Sequence, residues 1–317
     1  MDDFKMGINL WTQAGSWQEM LDAAQLVDRL GYEHLWAWDH VKAIFGDPHQ
    51  PIHEGWTTIT AWAMATRNVK VGLMVGANTF RNPGLVAKIA TTLDHASGGR
   101  AILGLGGAWF ELEHREFGID FGSGFGQRLD WLDEAVGAIR VLTSGEKVTS
   151  PAGGHYSFHG ATINPLPVQK RLPIMIGGTG RTKTLRTVAK YADIWNASGL
   201  PSEVRDHDAV LRQHCEAVGR DHREIERSSC LWFVVRDSEA IARRDWAAYM
   251  ERNRTPVERT LEPSRPVFGT PETIAERLLE YCDVGFTTAL VEIPAPYDRE
   301  TIERLAKDVR PLVEKKA

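Results

Sequence analysis

The chain is poor in cysteine. Its 317 residues hold three, Cys215, Cys230 and Cys282, widely spaced and in no CxxC pair. That argues against a disulfide framework and a zinc site, and it suits a reducing cytoplasm. No apolar run approaches the roughly 20 residues needed to cross a bilayer. The start, Asp2-Asp3 ahead of a predicted strand, has no signal-peptide pattern. Positive charge is not in excess: 37 Lys and Arg face 42 Asp and Glu, for a net charge of -5. No nucleic-acid-binding face is expected from that balance. The eleven histidines make no HExxH or comparable ligand pattern, so no metal is expected, and no GxSxG offers a serine nucleophile. These absences leave a soluble intracellular protein that acts on small molecules.

What the sequence does have is alternation. Strands are predicted at Met6–Trp11, Leu35–Trp38, Val69–Val75, Ala101–Leu105, Ile174–Ile176, Asp193–Trp195, Leu231–Val235 and Ala289–Ile293. Helical patterns stand between them. Ser16 and Glu19 have the spacing of a capping box, followed by apolar residues at Met20, Ala23, Ala24, Val27 and Leu30. Pro83 and Pro271 stand at first-turn positions, and Asp298 is placed to cap the last helix. Eight such units predict a parallel sheet. A closed (β/α)8 barrel is the economical form, with an open doubly wound sheet as the competing one. Barrels of ~250 residues or more fold as one domain, so residues 1–317 read as a single unit. Two stretches exceed a simple connection, 107–172 after the fourth strand and 236–268 after the seventh. The first holds a helix near Leu129–Leu142 and a Gly/Pro-rich excursion from Ser150 to Pro167. Long insertions of this kind cover the C-terminal ends of barrel strands.

Functional groups belong just after those strands. Asp39-His40 follows the second. It reads either as a loop cap with a hydrogen-bonded histidine or as a pair for proton transfer near neutral pH. Met74, Val75 and Gly76 follow the third, where small residues let backbone approach a flat ring. Gly106 and Gly107 follow the fourth in a GxGG that lacks the full dinucleotide fingerprint, so close backbone approach is its reading. Glu111, Glu113, His114 and Glu116 come next, as acid–base candidates or as a solvated helix face. Gly177, Gly178, Thr179 and Gly180 follow the fifth and open a helix. That is a physically sensible phosphate cradle, with Arg181 and Lys183 as added charge, or else a flexible turn. Trp11, Gln13, Trp56, Trp109 and Trp232 line a predicted aromatic substrate pocket, or fill core.

Taken together, several segments resemble the luciferase-like oxidoreductase superfamily, and within it the F420-dependent branch. They are Leu30-Gly31-Tyr32 with Leu35 to His40, Val71 to Val75 with Arg81-Asn82-Pro83 and Ala87-Lys88, and Thr92-Leu93-Asp94 with Ser97 to Arg100. Gly104-Leu105-Gly106, Pro173 with Ile176-Gly177-Gly178, and Ala192 to Asn196 complete the set, over about residues 5–200. The resemblance implies a barrel with the cofactor ring at the strand C-termini. It implies that Asp39 contacts a deazaflavin and that Met74-Val75 forms a backbone bulge with a non-prolyl cis peptide. Gly177, Gly178 and Thr179 would hold a phosphate, and His40 would lie near hydride transfer. The sequence departs from the family's sugar-phosphate dehydrogenases, which carry a glutamate where Trp109 stands and a tryptophan where Ile44 stands. His40, Glu111 or Glu113 must then supply any acid or base.

Three functions are compatible with this reading. One is hydride transfer between coenzyme F420 and a small organic substrate. Another is an FMN-dependent monooxygenase using reduced flavin and oxygen. The third is a non-catalytic flavin-binding relative, against which a retained Asp39-His40 and phosphate loop speak. A homodimer is expected by analogy with the family.

Overall fold

The computed structural model describes residues 4–262 and 266–316; Asp2 and Asp3, read above as leading into the first strand, lie outside them. Eight parallel strands form the centre: β1 (Lys5–Leu10), β2 (His34–Ala37), β3 (Lys70–Leu73), β4 (Ala101–Gly106), β5 (Ile174–Gly177), β6 (Ile194–Ala197), β7 (Glu226–Leu231) and β8 (Thr288–Ile293). Each pairs with its sequence neighbours, β8 returns to β1, and β3–β4 pairing closes the ring. This is the (β/α)8 barrel; the open sheet is excluded by closure.

Strand alternation builds two cores. Met6, Ile8 and Leu10 of β1 and Leu35 and Ala37 of β2 face the helices in the outer core. Trp36, Ile102, Met175, Ile194 and Leu290 face inward and fill the barrel. Closure depends on bare backbone at one seam. A Cβ on Gly104 would stand 1.9 Å from the Leu73 carbonyl oxygen, so only glycine lets β4 lie against the end of β3.

The helix signals hold. Ser16 Oγ accepts from the Glu19 amide at 3.3 Å, and Glu19 Oε2 accepts from the Ser16 amide at 2.8 Å. Caps of this kind are worth about 1 kcal/mol each. Asn82, Thr270 and Asp298 cap the helices that begin at Pro83, Pro271 and Arg299.

The seventh strand is where expectation and structure differ. The apolar run Leu231–Val235 is not the barrel strand. The preceding polar stretch Glu226–Leu231 is, and Phe233–Val235 pairs with Val267–Gly269 in a small separate sheet. The reason is packing: Ser228 and Cys230 face a barrel interior that accepts polar groups, while Arg227 bonds Asp208 of the helix Pro201–Ala217. The insertion after β4 carries helices Glu111–Phe117 and Phe125–Thr143 and an antiparallel pair, Val148–Thr149 with His159–Ala161. The stretch after β7 carries the helix Glu239–Arg252, whose Trp246 and Met250 pack with Trp11, Trp38 and Trp232.

Candidate functional site

The C-terminal ends of the strands surround a cavity of about 460 Å³. Its floor is set by β3. The Met74–Val75 peptide is cis, as the resemblance implied. Pairing with β4 resumes at Gly76 and Ala77, opposite Leu105 and Gly106. Val75 then lies across neighbouring backbone. A Cβ on Gly106 would stand 2.7 Å from Val75 Cγ2, and one on Gly177 would stand 3.1 Å from it. These glycines make room for Val75, which leaves a low, apolar floor across β3, β4 and β5.

Asp39 lines the cavity but is committed. Its carboxylate takes Arg81 in a two-point pair, at 2.7 and 3.1 Å, and accepts from the Ala77 amide at 2.9 Å. Arg81 also reaches Glu54 Oε1 at 2.8 Å, and Glu54 caps the helix Gly55–Ala65. Burial pushes the Asp39 carboxyl upward from its ordinary range, and Arg81 and Ala77 oppose that push. The pair ties the end of β2 to the loop after β3. Asp39 is built first as a clamp on the cavity floor.

His40 and Glu113 form the central pair. His40 Nδ1 lies 2.9 Å from Glu113 Oε1, and Glu113 Oε2 accepts from the Val41 amide at 3.0 Å. Glu113 is 1% exposed, whereas His40 keeps 14% of its side chain accessible. With a carboxylate as partner, Nδ1 is the donor, which leaves the other ring nitrogen as the acceptor. Aromatic edges hold the ring in place: Trp38 and Trp109 meet it at centroid distances of 6.2 and 5.6 Å.

The structure therefore selects among the acid–base candidates. Glu113 lies behind His40. Glu111 is exposed and does not line the cavity. The acidic run divides: Glu111 and Glu116 are exposed on a solvated face, while Glu113 and His114 are buried. His114 bonds Thr79 at 2.6 Å and the Phe110 carbonyl at 2.9 Å.

The expected aromatic pocket divides. Trp109 and Trp232 line the cavity, with Ile44, Phe45 and Phe125. Trp11 and Gln13 do not. Trp11 is fully buried, stacks on Phe45 at 4.4 Å, and donates its indole N–H to Glu292 Oε2 at 2.5 Å. Gln13 holds the Ile44 and Phe45 amides at 3.0 and 3.2 Å. Both support the wall from behind. Trp56 belongs to the outer core.

The loop after β5 is partly spent on the fold. Gly177 and Gly178 line the cavity; Thr179 and Gly180 lie outside its lining, toward the helix Thr184–Tyr191. Gly178 has φ +120°, which an L-residue rarely adopts. Its N–H donates to the Asn196 carbonyl at 3.0 Å, so any anion must use the amides that follow. Lys183 is turned away, bonded to Asp130 at 2.6 Å and the Gly126 carbonyl at 3.0 Å. Sequence reasoning missed Asn196, Ser198, Cys230 and Glu292, which also line the cavity. For Glu292 there was a signal: a lone acid inside the otherwise apolar run Ala289–Ile293.

Among the described residues, no group of three or more His, Cys, Asp or Glu could hold a metal ion, and no helix is long and apolar enough to cross a membrane. The model of a protein family described as luciferase-like monooxygenase matches residues 5–265. The chain belongs to the luciferase-like monooxygenase family. Within it, the chain is 28% identical to the F420-dependent glucose-6-phosphate dehydrogenase of Kineococcus radiotolerans, over 93% of each. It is 24% identical to the FMNH(2)-dependent dimethylsulfone monooxygenase of Pseudomonas putida, over 92% of this chain and 86% of that protein. The solved structure of an F420-dependent secondary alcohol dehydrogenase with an F420-acetone adduct superposes with a TM-score of 0.84 at 19% identity, covering 98% of this chain and 99% of that one.

Proposed function

We propose that this luciferase-like protein is an oxidoreductase that exchanges hydride between coenzyme F420 and a small organic substrate. The observation that carries the reading is the buried Glu113 behind a partly accessible His40, on the rim of a floor made flat by Val75 over Gly106 and Gly177. A planar ring system fits that floor, because any Cβ on Gly106 would collide with Val75. Met74, Val75, Gly76, Gly106 and Gly107 would back the ring, and Gly177, Gly178, Thr179 and Gly180 would run beside its tail. When bound, the cofactor supplies the hydride chemistry, and the protein supplies orientation and proton management.

His40 is the proton carrier in this scheme. Glu113 fixes its tautomer and stabilises the imidazolium formed when the free ring nitrogen takes a proton from a substrate hydroxyl. The reverse direction uses the same atoms. Trp38, Trp109 and Trp232 exclude water and present apolar faces to the substrate.

The second reading is an FMN-dependent monooxygenase, favoured by likeness to the dimethylsulfone enzyme over 92% of the chain. F420 is preferred because identity to the F420-dependent dehydrogenase is higher, 28% against 24%, over 93% of this chain against 92%. A cofactor store is disfavoured by the His40–Glu113 pair, which storage does not need. Titration of the apo-protein with oxidised F420, and with oxidised and reduced FMN, tests the choice. Micromolar or tighter binding of F420 alone is expected. Preference for reduced FMN would overturn the cofactor assignment.

A further inference from the structure

The end of β6 carries a polar side chain beside the cavity floor. Asn196 lines the cavity and is 7% exposed. It stands next to Gly177 in the register of β5 with β6, and next to Ser228 in the register of β6 with β7. Its backbone carbonyl accepts from the Gly178 amide at 3.0 Å. The residue is thereby fastened to the strip of floor on which Val75 rests.

The orientation of its carboxamide is decided by one proton. Ser228 Oγ lies 3.1 Å from the Trp195 carbonyl oxygen and 3.2 Å from Asn196 Nδ2. A carbonyl oxygen only accepts, so the single hydroxyl proton goes to Trp195. Ser228 Oγ must then accept from Asn196, and the amide nitrogen is the group turned toward it. A flipped amide would set Oδ1 against an oxygen whose proton is already committed. Ser228 lies on the β7 side, so Oδ1 is turned to the other side, where β5 and the floor lie. Among the described residues, Oδ1 takes no bond from the protein, and one N–H of Nδ2 is left over. Asn196 thus offers an acceptor and a donor side by side, in a fixed order.

Resting on the reading of this cavity as the cofactor site, we infer that Asn196 binds the polar edge of the cofactor ring: Oδ1 accepts from a ring N–H, and the spare amide proton goes to the ring carbonyl next to it. The group that matches this pattern is the pyrimidinedione, which F420 and FMN share. A flat apolar floor holds a ring by its face and leaves it free to turn in its own plane. A two-point polar edge removes that freedom, and orientation of this kind is a large part of catalysis. In a ring of eight strands, β6 stands opposite β2. Asn196 therefore fixes the cofactor from the side across from His40. Its place next to Gly177, at the level of the floor, favours the ring over a substrate lying above it.

The test is a binding titration of the full-length apo-protein with F420 and FMN, each oxidised and reduced, and with their derivatives methylated at the ring N–H. Cofactor absorbance and fluorescence give the readout, so no turnover is needed. The wild type should bind the unmethylated cofactor about tenfold more tightly than its methylated derivative, the scale of one hydrogen bond. Asn196→Ala should weaken the unmethylated cofactor by about tenfold and abolish the preference. Ser228→Ala leaves Asn196 in place but unlocks its amide. It should narrow the preference to roughly threefold, and it carries the test if the Asn196 variant does not fold. A cofactor that binds with no preference in the wild type, or with the same preference in both variants, would overturn the inference and leave the hydride reading intact. Failure of both F420 and FMN to bind in either redox state would sink the hydride reading and this inference with it.

Discussion

The two ends of the barrel hold cavities of nearly equal size, about 460 Å³ at the mouth and about 420 Å³ at the base, and they are built differently. At the base the charges close on one another. Lys5 pairs with Glu226, which also accepts from Thr288, and Arg212 and Arg227 share Asp208. At the mouth, pairing is used to aim groups. Arg81 holds Asp39 against the floor, Glu113 orients His40, and Trp11 and Cys230 orient Glu292. Volume does not separate a site from a dimple. What separates them is that His40, bonded to Glu113 through one ring nitrogen and still partly accessible, keeps its other ring nitrogen at the space, beside surface that a ligand can cover.

The sharpest way to break this comparison is at His40. His40→Ala should lower turnover by roughly 10²–10⁴-fold, the range for a general acid–base group, while cofactor affinity changes little. Glu113→Gln should cost less, about 10–100-fold, because it acts through His40. Steady-state kinetics beside a cofactor titration reads both. Equal losses in turnover and cofactor affinity for His40→Ala would remove it from proton transfer.

Charge deletion at each end comes next. Arg81→Ala leaves Asp39 buried without its partner and should cost about 3–5 kcal/mol of stability. The loss should be larger at pH 8 than at pH 5, since Asp39, already pushed upward by burial, escapes part of the penalty by taking a proton. Arg212→Ala at the base removes a half-exposed pair and should cost about 0.2–1 kcal/mol. Urea unfolding of the two variants at both pH values checks the contrast. Equal costs would mean that the mouth clamp is ordinary surface pairing.

Acid sensitivity should come from the base. Burial holds the His34 imidazole down at about 4, with Glu226 pulling it back up and Lys70 and Lys5 pushing it down. The unfolded chain binds this proton near pH ~6.5 and the folded one does not. Stability is thus complete above that pH and falls as pH drops toward 4, by about 3 kcal/mol in all. His34→Gln should flatten that slope and leave cofactor affinity at neutral pH unchanged; an unaltered slope would assign it to another group.

Much of the fold was legible because it rests on local chemistry. Ser16 with Glu19, Asn82 with Pro83, and Thr270 with Pro271 mark helix starts through backbone donors that need acceptors. The seventh strand was not legible. Its residues Glu226 to Cys230 look like loop until a partner strand on each side and an interior tolerant of serine and cysteine are known. Around the cavity, His40, Glu113 and the glycines Gly76, Gly106, Gly107, Gly177 and Gly178 could be named from their places after strands, whereas Thr179 and Gly180 lie outside its lining. Glu292 was overlooked because its strand was read as core, and Trp11 and Gln13 were misplaced because a residue just past β1 can face the cavity or brace its wall.

The sequence by itself determined the alternating elements, the parallel barrel and the zone where chemistry belongs, because periodicity, caps and strand ends are properties of neighbouring residues. Only the tertiary structure decided which polar groups spend their hydrogen bonds on the protein and which keep them for a ligand. Asp39 meets Arg81 across 42 positions, His40 meets Glu113 across 73, and Trp11 meets Glu292 across 281. Such pairings follow from barrel closure, which brings distant strand ends together, and nothing local in the chain encodes them.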